Sequence, residues 1–264
     1  MSTVTKHTPG TFCWWELSTH DLEADWRFYH ALFRWEKRDQ FVGPGQVYRI
    51  AVLEGQDVGA LYRLQTAAPG GRPGAWLPYI AVQDADATLA RITSSGGTQV
   101  QPVVDVVDAG RMALFADTEG ATAAIWEPRA HPGAGIMDEV GTVCWNELSA
   151  KDAERARGFY TAAFDWKPER KSLGAAGEYT FWDVAGAPRV FGGMLQMTPE
   201  WGDPPAWMTY FKVADCDESA ALAADHGGTI LYPPFDAPGV GRIAVLEDPT
   251  GSRFSVIRFS TTGQ

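Results

Sequence analysis

The sequence predicts an α+β chain of four strand–helix–strands units arranged as two like halves. Three observations carry this. Residues 10–35 align without a gap to residues 141–166, with fourteen of the 26 positions identical, where composition alone would give roughly two. The same offset of 131 residues recurs downstream, where Trp76, Tyr79, Val82, Asp84 and Asp86 match Trp207, Tyr210, Val213, Asp215 and Asp217. Each half also repeats itself more weakly. A strand at 11–18 leads through Asp21 into a helix, and a strand at 76–83 leads through Asp84 into another.

Each element has a local reason. Alternation along 11–18 places Phe12, Trp14, Glu16 and Ser18 on one face and Thr11, Cys13, Trp15 and Leu17 on the other. Asp21 and Asp152 stand where a side-chain oxygen caps a helix start. Leu22, Trp26, Tyr29 and Phe33 then follow at helical spacing, as a helix packed on a sheet requires. The glycine pairs 96–97 and 227–228 end the second helix of each half. Asp117 with Gly120, and Asp248 with Gly251, mark turns between the last two strands. The stretch 128–140 contains Pro and Gly and separates the halves, giving domains at 1–130 and 141–264 with a linker at 131–140.

Composition narrows the function. A formal net charge of -11 repels phosphate backbones and anionic lipid, so neither nucleic acid nor membrane is expected as a partner. The sequence shows no signal-like apolar start and no long apolar run, so a cytoplasmic location is the default expectation. Cys13, Cys144 and Cys216 form no C-x-x-C pair and read as small buried residues. Eleven tryptophans suit either a Trp-rich core or an aromatic-lined cavity for an apolar small molecule.

Four such units, with helices that reach Phe28-Tyr29 and Phe159-Tyr160, with Tyr79-Ile80-Ala81-Val82 before Asp84, and with Asp-x-x-Gly turns before each last strand, resemble the vicinal oxygen chelate superfamily. That group includes glyoxalase I, bleomycin-resistance proteins, fosfomycin-resistance transferases and extradiol dioxygenases. The resemblance is greatest to fused, two-half glyoxalase-like proteins of actinobacteria. It implies tandem βαβββ modules, four in number, curled into two half-open barrels of mixed sheet. It also implies a divalent metal on the concave face, with ligands on the first strand, the strand opening the second unit, and the last strand. Those positions fall on Trp14 and Trp145, on Tyr79 and Tyr210, and on Ala124 and Ser255. Tryptophan and alanine offer a metal no donor and serine a poor one, so no metal and no other cofactor is expected.

What remains at the site is a carboxylate among aromatic rings. Glu16 and Glu147 share a strand face with Trp14 and Trp145, and burial there raises a carboxyl pKa toward the range of general acid–base work. They are the candidate catalytic residues. The competing reading makes each glutamate a plain acceptor for Tyr79 or Tyr210. Candidate ligand-binding residues are Trp14, Tyr79, Trp126, Trp145, Tyr210 and Ser255. Arg111 and Arg242 each follow a glycine at a strand start and suit either an anion clamp or an exposed strand end. The halves differ at Trp15/Asn146, Ala51/Trp182, Ala124/Ser255 and Trp126/Ile257, which suggests two unequal cavities.

Two functions fit. One is metal-independent binding, of the sequestration or resistance type, of an apolar or aromatic small molecule in an aromatic-lined cavity. The other is a glyoxalase-like lyase, isomerase or cyclase of small-molecule or secondary metabolism, with Glu16 or Glu147 as acid or base. The chain is expected to be a monomer or a homodimer.

Overall fold

A computed structural model describes residues 3–64, 74–173, 177–198 and 204–260. The first half opens with β1 (Phe12–Thr19), α1 (Leu22–Phe33), β2 (Glu36–Gly43), β3 (Gln46–Leu53) and β4 (Gln56–Arg63). It continues with β5 (Ala75–Ala81), α2 (Ala85–Ser94), β6 (Thr98–Val106), β7 (Gly110–Ala116) and β8 (Thr122–Pro128). The second half repeats the series. It opens with β9 (Val143–Ala150), α3 (Ala153–Phe164), β10 (Lys167–Ser172), β11 (Glu178–Asp183) and β12 (Gly192–Gln196). It closes with β13 (Ala206–Lys212), α4 (Cys216–Asp225), β14 (Thr229–Ala237), β15 (Gly241–Glu247) and β16 (Arg253–Phe259).

Each half forms one mixed eight-stranded sheet, ordered β2-β3-β4-β1-β5-β8-β7-β6 and β10-β11-β12-β9-β13-β16-β15-β14. The α+β architecture of four βαβββ units is therefore as the sequence predicts. Inside each sheet the two units meet where their first strands pair antiparallel, β1 with β5 and β9 with β13. The four helices among the described residues each start on an aspartate whose side chain accepts backbone N–H groups of the first turn: Asp21, Asp84, Asp152 and Asp215.

The helices lie between the two sheets, with α1 packed on α4 and α2 on α3. Contacts across the halves come in reciprocal pairs, the mark of a two-fold relation. Trp35 Nε1 donates to the Gly141 carbonyl, and Trp166 Nε1 donates to the Gly10 carbonyl, each at 2.8 Å. Tyr29 donates to Asp248 and Tyr160 to Asp117, each at 3.0 Å, and Trp76 and Trp207 donate to those same tyrosine oxygens. The glycine pairs serve this interface as well as the helix ends. Gly96 and Gly227 take the left-handed turn, at φ +94° and +91°. Their neighbours leave room for a ring of the other half: a Cβ on Gly97 would lie 2.8 Å from Phe159, and one on Gly228 would lie 2.7 Å from Phe28.

One sequence expectation fails in a way that shapes the site. Simple alternation puts Phe12 beside Trp14, but the pairing register shifts between them, and Phe12 instead packs on Trp166, Phe191 and Trp207 of the other half. The cause is a β-bulge at Cys13, which lets neighbours at i and i+2 face opposite ways. The second half repeats the shift between Tyr210 and Phe211, opposite Trp145 and Val143. The segment joining the halves is laid along the first sheet. Ala134 and Gly135 donate to the Cys13 and Asp57 carbonyls, and Ala134 and Ile136 are buried.

Two predictions follow from the interface. Asp117 and Asp248 already hold their turns through backbone N–H groups, and the tyrosine adds a buried, charge-assisted donor. Tyr29→Phe and Tyr160→Phe should each lower unfolding free energy by about 1–3 kcal/mol, read from urea denaturation. Loss in one variant only would show that the two-fold bonds are not equivalent.

Asp25 on α1 is fully buried and accepts from Thr19 and Thr250; burial, with the nearby charge of Asp248, pushes its carboxyl up to about 7. A carboxyl raised on folding adds stability below its unfolded pKa and loses it as pH climbs through the folded one. The stability difference between Asp25→Asn and the native chain should therefore shift in the variant's favour from about pH 5 to about pH 8. A pH-independent difference would mean that Asp25 does not titrate there.

Candidate functional site

The face of the first sheet turned away from the helices holds a cavity of about 950 Å³, at the upper end of the range for small-molecule pockets. The bulge at Cys13 aims Trp14 and Glu16 into it, and Tyr48, Tyr62, Tyr79, Trp126 and His131 add to its polar and aromatic lining. At its floor, the Glu16 carboxylate accepts from Tyr48 and from Tyr79, both at 2.6 Å. Tyr48 in turn accepts the indole N–H of Trp14 at 2.9 Å. An indole nitrogen can only donate, so the order Trp14 to Tyr48 to Glu16 has a fixed direction. Burial raises the Glu16 carboxyl above its ordinary range, against the pull of these donors. Burial and the Glu16 charge push Tyr48 and Tyr79 well above the usual phenol.

The side walls are pinned. Trp126 donates to the His131 carbonyl at 2.9 Å, and the His131 ring stands edge-on to Trp14 with centroids 4.6 Å apart. His131 Nδ1 accepts the Gly133 N–H, so its neutral ring carries the proton on Nε2, 3.9 Å from Asp57. Burial lowers its pKa, although Asp57 opposes this. Arg111 and Arg242 do not line this cavity. Arg111 pairs with Asp86 and Glu127, and Arg242 with Asp217 and Asp236, tying the starts of α2 and α4 to β7 and β15.

The second sheet carries the same floor. Glu147 accepts from Tyr179 at 2.8 Å and Tyr210 at 2.9 Å, and Trp145 donates to Tyr179 at 2.9 Å. Burial raises Glu147 too. Its walls differ. Phe181 occupies the row position that Ile50 holds in the first sheet, and its ring lies 4.8 Å from Tyr179 and 6.0 Å from Trp145. Ser255 is fully buried, in register with Tyr210.

The structure thus brings Trp14, Glu16, Tyr79 and Trp126 together at one cavity, and Trp145, Glu147, Tyr210 and Ser255 onto the equivalent sheet face. Sequence reasoning missed Tyr48, although Tyr48 and Tyr179 lie at the same offset of 131 and the signal was present. It also missed His131, placed in the linker, because nothing local shows that the linker folds back as a cavity wall.

The model of the glyoxalase/bleomycin resistance protein/dioxygenase superfamily matches residues 11–125 and again 140–256. The chain belongs to this superfamily. It is 39% identical over 254 residues to the putative glyoxylase CFP32 of Mycobacterium tuberculosis, covering 96% of each chain. It is 32% identical over 265 residues to the anthracycline biosynthesis protein DnrV of Streptomyces peucetius, covering 96% of this chain and 95% of that one. Among solved structures, the fold matches a Mn(II)-bound glyoxalase from Novosphingobium aromaticivorans at TM-score 0.63 and 14% identity, covering 96% of this chain and 85% of that one. An extradiol ring-cleaving dioxygenase from B. fuscum matches at TM-score 0.64 and 14% identity, covering 99% and 75%.

The superfamily's divalent metal does not fit the residues present. Its ligand positions, carried over from the sequence, do lie side by side: Trp14 pairs with Tyr79 and Tyr79 with Ala124. Of the three, the indole only donates, the alanine has no donor atom, and the Tyr79 phenol is buried, hard to ionise and bonded to Glu16. Glu16 is a single carboxylate, where catalytic sites use about three protein ligands. Among the described residues, no group of three or more His, Cys, Asp or Glu stands where it could hold a metal ion. Among the described residues, too, no helix is long and apolar enough to cross a membrane.

Proposed function

We propose that the chain binds an apolar or aromatic small molecule in the first-half cavity, without a metal, in the manner of a sequestering or resistance protein. The observation that carries this is the cavity itself: about 950 Å³, walled by rings that hydrogen bonds hold in place. Rigid aromatic walls supply contact area with little side-chain entropy to lose. The relatives named for anthracycline biosynthesis support an aromatic ligand. The mismatch at the metal positions supports independence from a metal.

A second reading, a lyase, isomerase or cyclase, is favoured by one feature. Glu16 faces the cavity with a raised pKa, suited to taking a proton from carbon beside a carbonyl and returning it elsewhere on the substrate.

The metal question comes first. Plasma mass spectrometry of purified protein, after incubation with Mn²⁺, Fe²⁺ or Zn²⁺ and gel filtration, should find well under one ion per chain. A stoichiometric ion would overturn the reading. Calorimetric titration with a panel of aromatic metabolites then tests the cavity. Ile50→Phe, which copies the second half's Phe181, should weaken any hit by about tenfold or more; unchanged affinity would move the ligand elsewhere. Glu16→Gln separates the two readings for such a hit. Binding kept with no product formed by either protein supports sequestration, and turnover lost with binding kept supports catalysis.

A further inference from the structure

The direction of the floor hydrogen bonds decides which ligand chemistry the cavity accepts. Every mobile proton at the floor is already spent. Trp14 Nε1 gives its hydrogen to Tyr48. Tyr48 and Tyr79 give theirs to opposite oxygens of Glu16. What the floor still offers are lone pairs: those on the Tyr79 oxygen, to which no described group donates, and those left on the carboxylate. We propose that the floor formed by Glu16, Tyr48 and Tyr79 is an acceptor-only site, so that the ligand is a hydroxylated aromatic or other O–H or N–H donor, seated with that donor against it. This deepens the ligand-binding reading above and rests on it.

Beyond these three groups the lining does hold neutral donors, the Tyr62 phenol and the Gln40, Gln46 and Gln101 amides, but little positive charge. A carbonyl or carboxylate pressed on this floor would set lone pairs against lone pairs in a place of low dielectric. Among the described lining residues Arg63, at the exposed end of β4, is the one Lys or Arg. His131, neutral and with Nε2–H aimed toward Asp57, adds no positive charge.

The test uses three probes of one shape on the full chain at neutral pH: 2-naphthol, its methyl ether 2-methoxynaphthalene, and 2-naphthoate. Calorimetry should find 2-naphthol bound at least about tenfold more tightly than either of the others, the usual worth of a hydrogen bond to a charged acceptor. Equal binding of the ether, or tighter binding of the naphthoate, would overturn the acceptor-only floor while leaving an aromatic-binding cavity intact. Failure of all three to bind would count against the cavity reading itself, and the inference would fall with it.

Two variants check that the floor makes the distinction. Glu16→Gln brings an amide donor and frees the phenols to turn, so the naphthol preference should shrink to about twofold or less. Tyr79→Phe, which removes a phenol but leaves the carboxylate with a free lone pair, should keep the preference. Loss of it in Tyr79→Phe, or its survival in Glu16→Gln, would overturn the assignment.

Discussion

The structure hangs on a buried hydrogen bond made twice. The aspartate that shapes the turn before each last strand accepts a phenol from the first helix of the other half. That same phenol oxygen accepts an indole from its own sheet. Each bond therefore joins a turn, a helix and two sheets. A buried carboxylate left short of a donor is costly, so each half relies on the other for the last donor to its turn aspartate. This constraint puts the helices inside and turns the far faces of both sheets outward, where a cavity can open to solvent.

The same arrangement explains the bulges. A first strand at the centre of its sheet must feed rings to the interface at one end and to the cavity at the other. Strict alternation would send Phe12 and Trp14 the same way. The extra residue at Cys13 reverses the phase, and the fully buried thiol settles against the Tyr79 carbonyl. Cys144 does the same against Tyr210. Burial pushes both thiols far above the usual range, as fits packing residues and not nucleophiles.

Much of this was legible in the sequence, because duplication leaves one copy as a control for the other. The capping aspartates, the units, the turns and the Trp–Glu strand face all stand out at the offset of 131. What was not legible depends on long-range placement. Phe12 was put on the wrong face because a bulge has no local signature here, the bulged residue being a cysteine and not a glycine. His131 looked like part of a spacer because its role comes from backbone bonds between 134–135 and distant strands. The residues at the metal positions were legible, but the phenol pair that bonds Glu16 emerged only when Tyr48 on β3 was seen to reach it across β4.

Divergence between the halves divides into two kinds, one at the interface and one on the outward faces. Trp15 and Asn146 are equivalent positions, yet they bond to each other at 2.8 Å, as residues beside a two-fold axis must. Two tryptophans would collide there and two asparagines would leave a void. The compensation runs along the row: Trp15, Gly59 and Ala51 in one sheet face Asn146, Gly192 and Trp182 in the other, one indole per row. That difference keeps the interface filled and says nothing of a cavity. Ile50/Phe181 and Trp126/Ile257 are another matter, since they sit on the outward faces where no partner half demands a fit. There the glutamate–tyrosine floor is held in common while the walls have changed. On the proposed ligand-binding reading, the floor sets what kind of group is recognised, and the walls set which half has room for it.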